Sequence, residues 1–227
     1  MVGTVTGAFT VRPYAAADRD AVRHICHVTG YMGEPAWMWR DQESFADLWS
    51  SYYTDREPGS ASVAVASDGR VVGYLLGCRD TAAAGPALGP VRRHLLGRGL
   101  LFRPGTAGVL WRAGWDLLVD RVKGRATPDE LIDARWPAHL HIDLLPEARG
   151  SGVGRRLMTG WLECLRADGI AGCHLGTWAE NADAIAFFET MGFRRHGAPT
   201  RMAGMRSREG ARHHGQWMVQ DLTGPRS

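Results

Sequence analysis

The most constraining feature of this chain is a ten-residue run, 146–155 (PEARGSGVGR), between two stretches of different period. Before it, 139–145 (HLHIDLL) alternates apolar and polar residues and reads as a strand. After it, Val153, Leu157, Trp161, Leu162 and Leu165 recur at helical spacing over 152–168, and Gly169 is the stop. A glycine-rich turn that opens a helix lets backbone approach an anion closely. The free N–H groups of the first helical turn, at the positive end of the dipole, then bind pyrophosphate. Arg149 and Arg155 flank the run and add charge-assisted donors. Two other phosphate loops are excluded. A P-loop needs a lysine after its glycines, and a dinucleotide fingerprint needs a glycine where Arg155 stands.

The remaining pattern is mixed. A short strand is expected at 9–13, and a helix capped by Asp18 runs to about Val28, with Gly30 as its stop. A second helix is expected over 44–53. Strands at 62–66 and 70–78 flank Asp68-Gly69, which predicts a hairpin with a two-residue turn. Residues 80–136 break the rhythm with Gly85, Pro86, Gly89 and Pro90, then two helix-like pieces at 91–96 and 106–122. They read as a helical insertion on one domain, with Trp111, Trp115 and Leu118 needing a surface to pack on. A strand at 173–178, a helix over 181–191 capped by Asn181, and a strand pair at 193–205 and 216–222 complete an α/β order. His213-His214 reads as an exposed turn.

Composition narrows the class. With 227 residues, 44% hydrophobic and 22% charged, the chain can build an ordinary core, which rules out wholesale disorder. One domain over 1–227, with 80–136 inserted, is the expected organisation. Four cysteines without close pairing exclude a disulfide scaffold. The most apolar long stretch, 108–122, is broken by Arg112, Asp116 and Asp120, so no membrane span is expected. No signal peptide is visible, and a cytoplasmic protein is expected. Lys123 is the sole lysine, an imbalance that suits a GC-rich genome. The net charge of +3 fits an anionic small ligand without demanding nucleic acid. No cluster shows metal-ligand spacing.

Arg149-Gly150-Ser151-Gly152-Val153-Gly154 resembles motif A of the GNAT acetyltransferases (GCN5-related N-acetyltransferases). Asn181-x-x-Ala184-x-x-Phe187-Phe188-x-x-x-Gly192-Phe193 is similar to their motif B, about 30 residues downstream. Arg12-Pro13-Tyr14, Ile25-Cys26 and residues 73–77 (GYLLG) resemble a narrower group, the bacterial relatives of the acetyltransferase-like C-terminal domain of eukaryotic O-GlcNAcase. The resemblance implies an α/β fold with a mixed, mostly antiparallel central sheet flanked by helices on both faces. It implies acetyl-CoA as co-substrate and an amine, small molecule or protein, attacking the thioester directly in a ternary complex. Arg149 through Gly154 would cradle pyrophosphate, with Arg155 beside them. Leu144 and Leu145 would end a strand that splays from its neighbour, pairs with the pantetheine arm and offers an N–H to the thioester carbonyl. Asn181 would contact the pantetheine amide, with Phe187 and Phe188 beside the same cofactor.

The base is read from the strand itself. His139, His141 and Asp143 share one face by period-2 spacing, while Leu140, Ile142 and Leu144 take the other. Asp143 is the first candidate for base or ammonium anchor, with its pKa raised by burial, and His141 the second. The alternative is that these are hydrogen-bonded structural groups. Phe188 stands where the family's common tyrosine protonates the departing thiolate, and a phenyl ring cannot. Either Tyr14, Tyr31, Tyr52 or Tyr74 substitutes, or the thiolate leaves unassisted, or the chain is a weak or inactive acyl-CoA-binding module. Trp37, Trp39 and Trp49 would wall the acceptor site or pack in the core. Exposed aromatics would favour a homodimer.

Overall fold

The computed structural model describes residues 9–85, 97–125 and 130–223. Seven strands form one sheet in the order β1-β2-β3-β4-β5-β7-β6, from β1 (Thr10–Pro13), β2 (Ala61–Val65), β3 (Val71–Cys78), β4 (Ala138–Leu144), β5 (Gly172–Trp178), β6 (Arg194–Arg206) and β7 (Arg212–Asp221). Every neighbouring pair is antiparallel except β4 with β5. The helices are α1 (Arg19–Thr29), α2 (Gln42–Arg56), a single turn α3 (Thr81–Ala84), α4 (Ala107–Val122), α5 (Val153–Ala167) and α6 (Ala182–Thr190). None among the described residues is long and apolar enough to cross a membrane.

Alternation along the central strands divides the core in two. Val72, Leu75, Leu140 and Leu175 pack with Val153, Leu157 and Trp161 of α5 and Ile185 of α6. Val63, Tyr74 and Leu76 take the opposite face with Val22 and Ile25 of α1, Phe45 of α2, and Leu100 and Val109 of the inserted segment. The insertion therefore builds on the α1–α2 face. Its described part is pinned there by Arg98 and Arg103, both paired with the buried carboxylate of Asp41. The helix expected at 91–96 lies outside the described residues.

Three local expectations are corrected. The β2–β3 hairpin closes at the Ala66 N–H to Arg70 carbonyl bond, so its loop has three residues with Gly69 left-handed at φ 87°, not two. Asp18 precedes α1 but its side chain does not cap it. The carboxylate instead takes both Arg12 guanidinium nitrogens, at 2.6 and 2.7 Å, and the Ala15 N–H. A bidentate cation outcompetes a neutral N–H for the same oxygens. β7 begins at Arg212, so His213 and His214 are strand residues and His213 is buried.

Candidate functional site

β4 and β5 pair only at Ala138 with Cys173 and His139 with His174, near their N-terminal ends. Beyond that point the two strands run on, to Leu144 and Trp178, without pairing. A wedge opens in the middle of the sheet. Leu145 donates its N–H to the Val72 carbonyl on β3. Because backbone polarity alternates along a strand, the N–H and C=O of Ile142 and Leu144 point the other way, into the wedge. Of the two residues expected to end the splayed strand, Leu145 spends its N–H on β3 and Leu144 keeps its own for the wedge. At the wedge mouth, a 3-10 turn (Pro146–Ala148) leads into α5.

Gly150 (φ 70°) and Gly152 (φ 82°) hold left-handed backbone in this loop, which only glycine adopts cheaply. A Cβ on either would meet open space, so the glycines are there for conformation and for approach from outside. Gly152 is the N-cap of α5 and brings no side chain to its first-turn N–H groups. Ser151 Oγ donates to the Ala148 carbonyl at 2.6 Å and pins the loop. Val153 is buried under it, and Arg155 is exposed beside it. Gly154 serves packing: a Cβ there would stand 3.1 Å from Leu144 and 3.6 Å from the Phe187 ring. Asn181 caps α6 by accepting the Ala184 N–H at 3.1 Å, which leaves its amide NH2 group for another partner. The cradle fits a pyrophosphate and an extended amide-bearing arm.

Arg149 is used differently from the expectation. Its guanidinium donates to the Leu144 carbonyl (3.1 and 3.2 Å) and to the Gly33 carbonyl (2.7 Å). It thereby ties the end of β4 to a tight turn at residues 31–34. Tyr31 and Glu34 close that turn with reciprocal backbone bonds, and Met32 is left-handed at φ 50°. A non-glycine residue in that region is strained and persists only where its surroundings hold it.

On the α1–α2 face, the three titratable residues of β4 have separate fates. His139 bonds Thr81 Oγ1 (2.7 Å) and Tyr53 Oη (2.9 Å). Burial, with His174 and His141 nearby, pushes its pKa down to about 3, so it is a neutral structural group. Asp143 accepts the Tyr74 hydroxyl at 2.5 Å, and its Oδ2 lies 3.2 Å from His141 Nε2. Burial raises the Asp143 pKa against the opposing pull of His141, Tyr74, Thr29 and Arg149. Tyr74 itself is raised well above the usual phenol by burial and by Asp143, so it stays a donor. His141 Nδ1 faces the Trp49 carbonyl at 3.3 Å. With Nδ1 donating there, Nε2 is the nitrogen that faces the Asp143 carboxylate.

Phe188 is buried in the α5–α6 core, 6.2 Å from Phe193, and Phe187 packs partly exposed at its edge. Of the four tyrosines considered, Tyr74 is committed to Asp143, Tyr52 bonds Glu57, and Tyr14 packs against the α1–α2 core. Tyr31 alone joins an acid–base chain at the wedge. Its hydroxyl is 2.9 Å from His213 Nε2, and His213 Nδ1 is 3.3 Å from Glu180. Its ring stacks edge-on against Trp178, the last residue of β5. The 31–34 turn therefore touches both open strand ends. His213 was missed in the sequence because the strand around it (ARHHG) lacks apolar alternation. Of the three tryptophans, Trp39 is buried and bonded to Ser44, Trp37 stacks on Tyr31, and Trp49 is part-exposed beside His141.

The family model described as the acetyltransferase (GNAT) family matches residues 30–193, more than half of the chain. Among solved structures, the chain is similar to SsHAT, at 27% identity and a TM-score of 0.65, covering 96% of this chain and 100% of that one. It shares its fold with yncA from Salmonella typhimurium, solved with its cofactor acetyl-CoA (17% identity, 97% of each chain, TM-score 0.56). It also shares it with a phosphinothricin acetyltransferase from Sinorhizobium meliloti in complex with acetyl-CoA (19% identity, 96% and 94% covered, TM-score 0.55). With its motif loop, wedge and seven-stranded sheet accounted for, the chain belongs to the GNAT acetyltransferase family.

Proposed function

We propose that this chain transfers an acetyl group from acetyl-CoA to an amine by direct attack within a ternary complex. The observation that carries the reading is the stretch of β4 left unpaired with β5, which has an anion cradle at its end and Asp143 and His141 in contact on its α1–α2 face. Acetyl-CoA supplies an activated thioester. The first-turn N–H groups of α5, with Gly150, Ser151 and Gly152, hold its pyrophosphate. The backbone of Ile142 and the amide of Asn181 pair with the pantetheine arm, and the Leu144 N–H polarises the carbonyl. The Asp143–His141 pair takes the proton of the attacking ammonium, with Asp143 raised toward a working pKa and His141 the more exposed member. As the C–N bond forms and the C–S bond breaks, Tyr31 gives its hydroxyl proton to the thiolate. The second proton shed by the nitrogen passes to solvent, and His213, backed by Glu180, takes one from solvent and returns it to Tyr31.

The acceptor enters from the α1–α2 face, where Trp49 borders His141. Residues 12–14 and 73–77 further support a place among the relatives of the O-GlcNAcase C-terminal domain. The buried phenyl ring of Phe188 favours a second reading, an acyl-CoA-binding module without turnover.

Calorimetric titration with acetyl-CoA, with Gly152→Asp as control, tests the cradle. Micromolar binding that the variant loses supports it, and absence of binding by folded wild type sinks both readings. An amine screen then separates them. Turnover that Tyr31→Phe slows by about 10²-fold or more supports transfer by the residues named, and binding without turnover supports the module.

A further inference from the structure

The inserted helix α4 is built inside out. Its carboxylates point into the protein: Asp116 takes Arg206 at 2.6 Å and the Gly204 N–H at 2.8 Å, and Asp120 takes Arg212 at 2.6 Å. Its tryptophans point to solvent. Trp111, Trp115, Leu118 and Val122 are 61%, 67%, 53% and 78% exposed, opposite to the expectation that they anchor the insertion. They recur at i, i+4, i+7 and i+11, one continuous stripe on the helix. The stripe is held rigidly, because β6 backs onto α4 closely enough that a Cβ on Gly204 would fall 2.6 Å from the Val109 carbonyl.

A second observation bears on what covers it. Gly114 sits within the same face, in mid-helix, where glycine costs about 1 kcal/mol relative to alanine. Its φ is not left-handed, and a Cβ there would meet nothing within 4 Å. Nothing among the described residues requires a glycine there, and the missing side chain leaves a notch open to a surface approaching from outside. Arg121 flanks the outward face, which carries no carboxylate, and Arg112 turns back to the Gly204 carbonyl at 3.5 Å, so the exposed stripe itself is apolar.

We propose that α4 is the interface of a homodimer, in which two copies pack their α4 stripes antiparallel about a two-fold axis. Counted with its small residues Ala107 and Gly114, the face runs from Ala107 to Val122 and centres between Gly114 and Trp115. A two-fold there places Trp115 of one copy over Gly114 of the other, and Trp111 against Leu118. Large residues thus fall on small ones in a self-complementary pattern, as an isologous contact requires. Arg112 and Arg121 fall outside the central contact. Together with the exposed Phe102, the stripe offers on the order of 600 Å² of apolar surface per copy, against about 800 Å² per partner in a standard interface, the remainder coming from the rim. This surface lies outside the wedge and does not depend on the acetyl-transfer reading.

The test is the mass of the full chain by light scattering and sedimentation, up to roughly 100 µM. A wild-type dimer is expected, with Trp115→Glu raising the dissociation constant by at least about 30-fold. Gly114→Leu guards against misfolding. It fills the notch with a better helix former, so it should give a monomer whose helix is at least as stable, with acetyl-CoA binding unchanged. A wild-type monomer overturns the proposal, as does a dimer that survives both substitutions. A monomer that sediments with anionic phospholipid vesicles would also overturn it and give the stripe to a lipid surface.

Discussion

His139, His141 and Asp143 lie on one face of one strand, yet their surroundings give them different chemistry. His139 is enclosed by Thr81, Tyr53 and His174, and its depressed pKa makes it a stability determinant. Its folded value, about 3, lies below the unfolded 6.5. The unfolded chain therefore binds the extra proton, and stability is lost as pH falls from 6.5 toward 3, by up to about 1.4 kcal/mol per pH unit. Urea denaturation between pH 4 and 7 should show a shallower acid dependence for His139→Gln than for wild type, and parallel curves would refute this. Asp143 behaves in the opposite sense, since burial disfavours its charge. Asp143→Asn should lower kcat/KM by about 10²–10⁴-fold with Tm unchanged or raised. A variant that loses activity only by unfolding would show the residue to be structural. The shared face was legible from period-2 spacing. The division of roles was not, because it depends on Tyr53, Thr81, Tyr74 and Trp49, which lie 58 to 92 residues away in the chain.

At the scale of elements, the loop before α5 was the most legible part of the molecule. Its glycines answer to backbone geometry, and geometry of that kind is written locally. Gly154 is a different case, since its role is to let α5 lie close on β4. Gly154→Val should cost about 1–3 kcal/mol by overpacking and weaken acetyl-CoA binding together with it. Chemical denaturation and calorimetry on the same sample check both, and a stable variant with full affinity would contradict the packing argument. Strand and helix limits fell within a residue or two of the sequence expectations for β4, α5, β5 and α6. β7 started four residues early, because pairing with β6 carries the ladder on through the polar Arg212, His213 and His214. That extension brings His213 to Tyr31 across 182 positions of sequence.

In the whole molecule, the insertion joins α2, β6 and β7 by buried ion pairs rather than by its aromatic residues. Burial pushes Asp116 up, but Arg206, the Gly204 N–H and Arg212 outweigh it and hold the carboxylate below its usual range. Asp116→Ala should leave Arg206 unmatched and lower Tm by roughly 2–4 °C or more. A scanning calorimetry trace indistinguishable from wild type would refute the anchor.

Local sequence determined the anion loop, the β4 face and the two motif helices, because φ preference, side-chain alternation and capping act over a few residues. Tertiary structure alone decided which side of α4 faces inward, where the Arg149 guanidinium goes and which tyrosine stands at the wedge. Helical periodicity marks a stripe without saying whether protein or solvent lies beyond it. Two half-buried arginines on a distant hairpin can turn the polar face inward, and here they do.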